Sequence, residues 1–192
     1  MFRFLAILTA ASMVGMQGYT MLFNNFAVET VNLEGLHVGL TQSIREIPGF
    51  LALTAIYVML VIREHRLAAL SIILLGAGVG LTGLFPTFTG VALTTLLMSF
   101  GFHYYETVNQ SLTLQYFSTT QSPLVMGKLR SLAAITSIIS GVAVWCMGFF
   151  MDYTGMFLVV GAVVAMAGVW AFFRDPSHAE VPPQDRKSTR LN

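Results

Sequence analysis

Between Phe4 and Phe173 the chain falls into six long apolar runs, at roughly residues 4–28, 38–62, 67–84, 90–117, 125–150 and 155–173. A helix needs about 20 predominantly apolar residues to cross a hydrocarbon core about 30 Å thick, and these runs are close to or above that length. The breaks between them, "ETVNLEGLH", "REHR", "FPTFT", "STTQSPL" and "MDYT", are short and polar, with Pro86, Pro123 and Gly155 as punctuation. Only 10% of the residues are charged, against about 25% in a soluble domain, which is too little charge to cover a water-facing surface. The expected class is therefore all-α: a polytopic membrane protein with six transmembrane helices, followed from residue 175 to 192 by a cytoplasmic polar tail or linker.

Orientation follows from the basic residues. Arg3, Arg63, Arg66, Lys128, Arg130 and Arg174 fall at one set of helix ends, whereas Glu29, Glu34, His37 and Asp152 occupy the other. The positive-inside rule then places both termini in the cytoplasm, as an even number of spans requires. The start "MFRFLAILTAAS" has the basic and apolar character of a signal peptide, but the apolar run continues to Phe23, so a retained first helix is expected.

Several function classes find no support. A net charge of +1 offers no basic surplus for nucleic acid. The single Cys146 forms no internal disulfide, and His37, His65, His103 and His178 lack metal-ligand spacing, so no metal or cofactor is expected. No nucleophile elbow, phosphate loop or paired-histidine helix occurs, and the chain is not expected to be an enzyme. The enzymatic alternative is an intramembrane acid–base pair of His103 and Glu106, which share a helix face.

Polar residues within the runs are unevenly placed. The first run carries Gln17, Thr20 and Asn24, and the fourth carries His103, Glu106, Asn109 and Gln110, while the third and sixth are bland. Gln17–Thr20–Asn24 and His103–Glu106–Gln110 both follow i, i+3, i+7 spacing, so each set lies on one helix face. Polar stripes cost too much against lipid and are expected to face a bundle interior or a wet cavity. The recurrence of character every three helices suggests a 3+3 repeat. Gly76/Gly80, Ser137/Gly141 and Gly161/Ala165 are small-residue pairs suited to close helix packing.

In the second run, "SIREIPGF" sets Arg45 and Glu46 before Pro48. Counting about 25 Å back from Ile62 along a helix places Arg45 in the outer third of the membrane. Neighbouring residues point about 100° apart, so each charge is expected to face a different partner. The pair reads as an interfacial anchor or a gate, with a kink at Pro48.

Together, six spans with polar first and fourth helices, "SIREIPGFLAL", "GFHYYETVNQSLTLQYF" and the turn "GFFMDYTGMFLVVG" resemble the N-terminal six-helix half of a major facilitator superfamily (MFS) transporter. In that family the first and fourth helices line a cavity, the second and fifth flank it, and the third and sixth face outward. The family's loop after the second helix is represented by "VIREHRLAALS", in which Arg63 and Arg66 keep basic positions but the aspartate and glycine are missing. The Gly-Pro-rich motif of drug antiporters is absent from the fifth run.

The resemblance implies secondary active transport of a small solute by alternating access across the plasma (inner) membrane, as a proton-coupled symporter. Gln17, Asn24, His103, Glu106, Asn109 and Gln110 would line the cavity, with Glu106 and His103 carrying the proton. The implied partners are the lipid bilayer, the solute, protons and a second six-helix half. That half is expected to be missing from a fragment, or alternatively supplied by a second copy. A non-transporting six-helix scaffold is the runner-up reading.

Overall fold

The structure, a computed structural model, describes residues 1–176, and every regular element among them is a helix. The tail read at 175–192 lies, past residue 176, outside the described residues. In chain order the elements are α1 (Phe2–Glu29), α2 (Gly35–Phe50), a single 3-10 turn (Leu51–Leu53), α3 (Thr54–Met59), α4 (Glu64–Thr82), α5 (Phe88–Tyr116), α6 (Ser122–Met147) and α7 (Tyr153–Phe172). Four of them, α1, α4, α6 and α7, are long and apolar enough to cross a membrane. The fourth run forms α5, which is long but made more polar by His103, Glu106, Asn109 and Gln110. The second run is broken, because α2 tightens into the 3-10 turn three residues after Pro48.

Local chemistry sets the boundaries. Asp152 accepts the Gly155 N–H at 2.8 Å and Thr87 accepts the Gly90 N–H at 3.1 Å, capping the starts of α7 and α5. Pro123 occupies the first turn of α6, where its missing N–H costs nothing. Asn32, at φ 57°, takes the left-handed turn between α1 and α2, a conformation that asparagine tolerates.

The helices pack as two interlocked triplets. The most extensive contacts run between α4 and α7 and between α4 and α5; α1 packs on α6 and α7, and α2 on α5. Exchanging the first three runs with the last three turns α1–α6 into α5–α2 and α1–α7 into α5–α4, and maps α4–α7 onto itself. The packing thus carries the three-helix periodicity of the sequence.

Glycine makes the central contacts possible. A Cβ on Gly76 would stand 2.5 Å from Ala165 N and 2.7 Å from Gly161 O, and one on Gly161 would stand 2.5 Å from Gly80 Cα. The small-residue pairs Gly76/Gly80 and Gly161/Ala165 are therefore the two sides of one α4–α7 seam. Gly101 likewise seats α5 on the backbone of the Ser71–Leu75 turn of α4, whereas Gly141 of α6 lies against the side-chain tip of Met21 in α1. In lipid, where burial of apolar surface drives little, this close approach supplies the attraction between helices. On the outside, Leu53, Tyr57, Ile138 and Trp145 are each at least two-thirds exposed, an apolar surface suited to lipid.

Candidate functional site

Two hydroxyl bridges join α1 to α5. Thr9 Oγ1 and Tyr105 Oη lie 2.8 Å apart, and Tyr19 Oη and Thr95 Oγ1 lie 2.5 Å apart. Both tyrosines are fully buried among apolar side chains, where an unpaired hydroxyl would be costly. A ten-residue step along α1 is matched by a ten-residue step back along α5, so the helices run antiparallel in fixed register. That register sets Gly15, near the middle of α1, level with Ser99.

Depth decides the status of the charged pair in α2. The Ser99 hydroxyl donates to the Arg45 carbonyl, so Arg45 lies at the level of Ser99 and hence in the central part of the bundle. Within the bundle this is nearer the middle than the outer third expected from the sequence. Arg45 stands ten residues from the start of this segment at Gly35 and fourteen from its end at Met59, so a count from the Ile62 end alone sets it too far out. The expectation of separate partners is also overturned: Arg45 Nε and Nη2 both donate to Glu46 Oε1, at 3.0 and 2.9 Å. Two long side chains close the 100° between neighbouring positions easily. The pair is half-open, with 22% of the Arg45 side chain and 55% of the Glu46 side chain exposed.

His103 of α5 completes this group. Its ring lies against Gly49, where a Cβ would be 3.2 Å from Cε1, and Glu46 and Arg45 are the charges acting on it. Tyr19 of α1 is within the electrostatic range of Arg45. The structure thus brings residues of α1, α2 and α5 to one polar centre: Tyr19, Arg45, Glu46, Thr95, Ser99 and His103. Thr95, Ser99 and His103 recur at i, i+4, i+8, a helical stripe that could have been found in the sequence beside the more conspicuous amides.

The other sequence candidates lie around this centre. Gln17 is half-buried and Asn24 is exposed on α1; both lie on the Glu29 side of the Gly15 level. Glu106 faces a different charge from His103, the Arg130 guanidinium of α6. Asn109 keeps a buried Oδ1 without a hydrogen-bond partner among the described residues, and Gln110 is exposed. Arg63 and Arg66 start α4, where Arg63 lies 3.7 Å from Asp175 and joins the end of α7. The polar residues therefore form a staggered line from Asn24 through the Arg45–Glu46–His103 centre to Glu106 and Gln110, not one compact pocket.

Such a line can hold a polar solute by hydrogen bonds and a charge, and can pass protons between a carboxylate and an imidazole. No protein-family model matches the chain, and no curated protein and no solved structure matches it.

Proposed function

We propose that the chain is a six-helix half of an MFS-like secondary transporter that moves a small solute by alternating access, coupled to protons. The observation that carries this reading is the polar centre shared by α1, α2 and α5 at mid-depth in an otherwise apolar bundle. Ionisable groups at that depth are expensive, and a solute or proton path is the use that repays them. The exchange of helix contacts between the two triplets supports the 3+3 repeat of such transporters. In this reading the protein sits in the plasma (inner) membrane with both termini cytoplasmic, by the positive-inside rule. A second six-helix unit, from further sequence or another copy, closes the cavity over the polar residues.

Within the cavity Gln17, Asn24, Asn109 and Gln110 offer neutral hydrogen bonds to the solute. His103 and Glu106, one helical turn apart, pass protons towards the end of the bundle that carries Arg130. The test is uptake into proteoliposomes loaded with a pH-sensitive dye, over a panel of sugars, amino acids and carboxylates. An inward proton gradient should drive accumulation of one class, and Glu106→Gln should abolish the pH-driven part. Accumulation with unchanged pH dependence in the variant removes Glu106 from the path. Absence of flux for the whole panel refutes transport and leaves the scaffold reading.

A further inference from the structure

The Arg45–Glu46 pair has no structural need to exist: it is intrahelical, joins no two elements, and brings two charges to the middle of the bundle. A buried or half-buried ion pair is no more stabilising than apolar side chains of the same volume. A kink device does not need it either, because Pro48 lies beside it. What the pair does provide is a guanidinium whose partner can be exchanged. Arg45 turns two donors, Nε and Nη2, towards a single oxygen of Glu46. A guanidinium fork is matched to both oxygens of a carboxylate and binds one of them more weakly than a two-oxygen partner.

Building on the transporter reading, we propose that Arg45 is the binding group for the carboxylate of an anionic solute, which displaces Glu46 as Glu46 takes up a proton. The charge balance requires the proton. If Glu46 stayed ionised after losing Arg45, the solute would leave an uncompensated carboxylate at mid-depth. Protonation removes that charge, so one anion and one proton enter together and the centre stays neutral. The groups around Glu46 suit this exchange: Arg45 on its own helix is its charged neighbour and His103 from α5 its titratable one, with Tyr19 of α1 beside Arg45. His103 hands the proton on towards Glu106.

Direct binding tests the proposal. The full chain in nanodiscs is titrated by calorimetry with acetate, pyruvate, benzoate and succinate, and with the corresponding amides, between about pH 6.5 and 8, where the carboxylates are ionised. At least one carboxylate should bind and its amide should not. Because binding takes up a proton, affinity should rise as pH falls, by up to about tenfold per pH unit while Glu46 is ionised in the free protein. Arg45→Gln should weaken binding by at least about tenfold. Glu46→Gln, which leaves Arg45 without its competitor, should bind more tightly and lose the pH slope; this decides the matter even where Arg45→Gln does not fold. Absence of binding by every carboxylate, or a pH slope that survives in Glu46→Gln, overturns the proposal. Carboxylate binding without any flux refutes transport alone, whereas flux of a neutral solute with no carboxylate binding refutes the anion site alone.

Discussion

Replacing Gly161 by alanine measures how closely α4 and α7 meet. A Cβ there would lie 2.5 Å from Gly80 Cα and 2.6 Å from Gly76 O, with Gly80 N also in contact, and all three are backbone atoms. Carbon atoms pack at about 3.5–4.0 Å, so the helices would have to part by about 1 Å along their main interface. Overpacking of this kind costs about 1–3 kcal/mol, and backbone cannot escape by changing rotamer, which places the cost near 3 kcal/mol. Gly80, on the facing helix, provides the control. A Cβ there meets nothing closer than 3.6 Å, an ordinary contact. Both changes gain about 0.8–1 kcal/mol of helix propensity, so that gain cancels in the comparison and Gly161→Ala should be about 3 kcal/mol less stable than Gly80→Ala. For a chain of this length the difference corresponds to about 6–12 °C in Tm. Thermal unfolding in nanodiscs, followed by the fluorescence of Trp145 and Trp170, reads it directly. If the two variants melt together, or Gly161→Ala melts higher, the seam is not backbone against backbone and the account of α4–α7 packing fails.

Two further outcomes concern single hydrogen bonds. Tyr105→Phe removes the hydroxyl that bridges to Thr9, and should cost about 0.6 kcal/mol, the mean for interhelical hydrogen bonds in membranes, and at most about 1.7 kcal/mol; an unchanged melting temperature would show that the bridge contributes nothing. Asp152→Ala removes the cap of α7 and should destabilise by about 0.5–2 kcal/mol, read as faster hydrogen exchange over Tyr153–Phe157, with Asp152→Asn retaining most of the protection.

The helices were legible because their breaks are chemically loud. Pro86, Pro123 and Gly155 and the short polar loops place the observed ends within about three residues of the expected ones, a normal uncertainty for helix termini. The small-residue pairs were legible as packing devices, but only the fold shows that Gly76/Gly80 and Gly161/Ala165 face one another. The candidate site was less legible. Gln17, His103, Glu106 and Asn109 stand out as polar residues in apolar runs, whereas Tyr19, Thr95 and Ser99 look like routine helix residues until the register between α1 and α5 aligns them. The Arg45–Glu46 contact was missed because helical phase describes where side chains leave the backbone, and not where long flexible ones end. The depth of the pair is not legible in a residue count from one helix end, because it is set by which residue of α5 the Arg45 backbone meets.

The interlocked triplets have a consequence for synthesis. Nearly all of the extensive helix contacts join a helix of the first triplet to one of the second, and α4 packs mainly on α5 and α7, with a smaller contact on α1. As the chain leaves the ribosome, the first three runs therefore enter the bilayer with little to hold on to. Gly76 and Gly80 wait, and Arg45 and Glu46 have only each other while α5 is still being made. This bundle closes only once α7 is made, because α7 fills both the α4 seam and the flank of α1. A nascent chain stalled before Tyr153 should thus remain loose and open to quality-control proteases, and protection should arrive abruptly once α7 has been inserted.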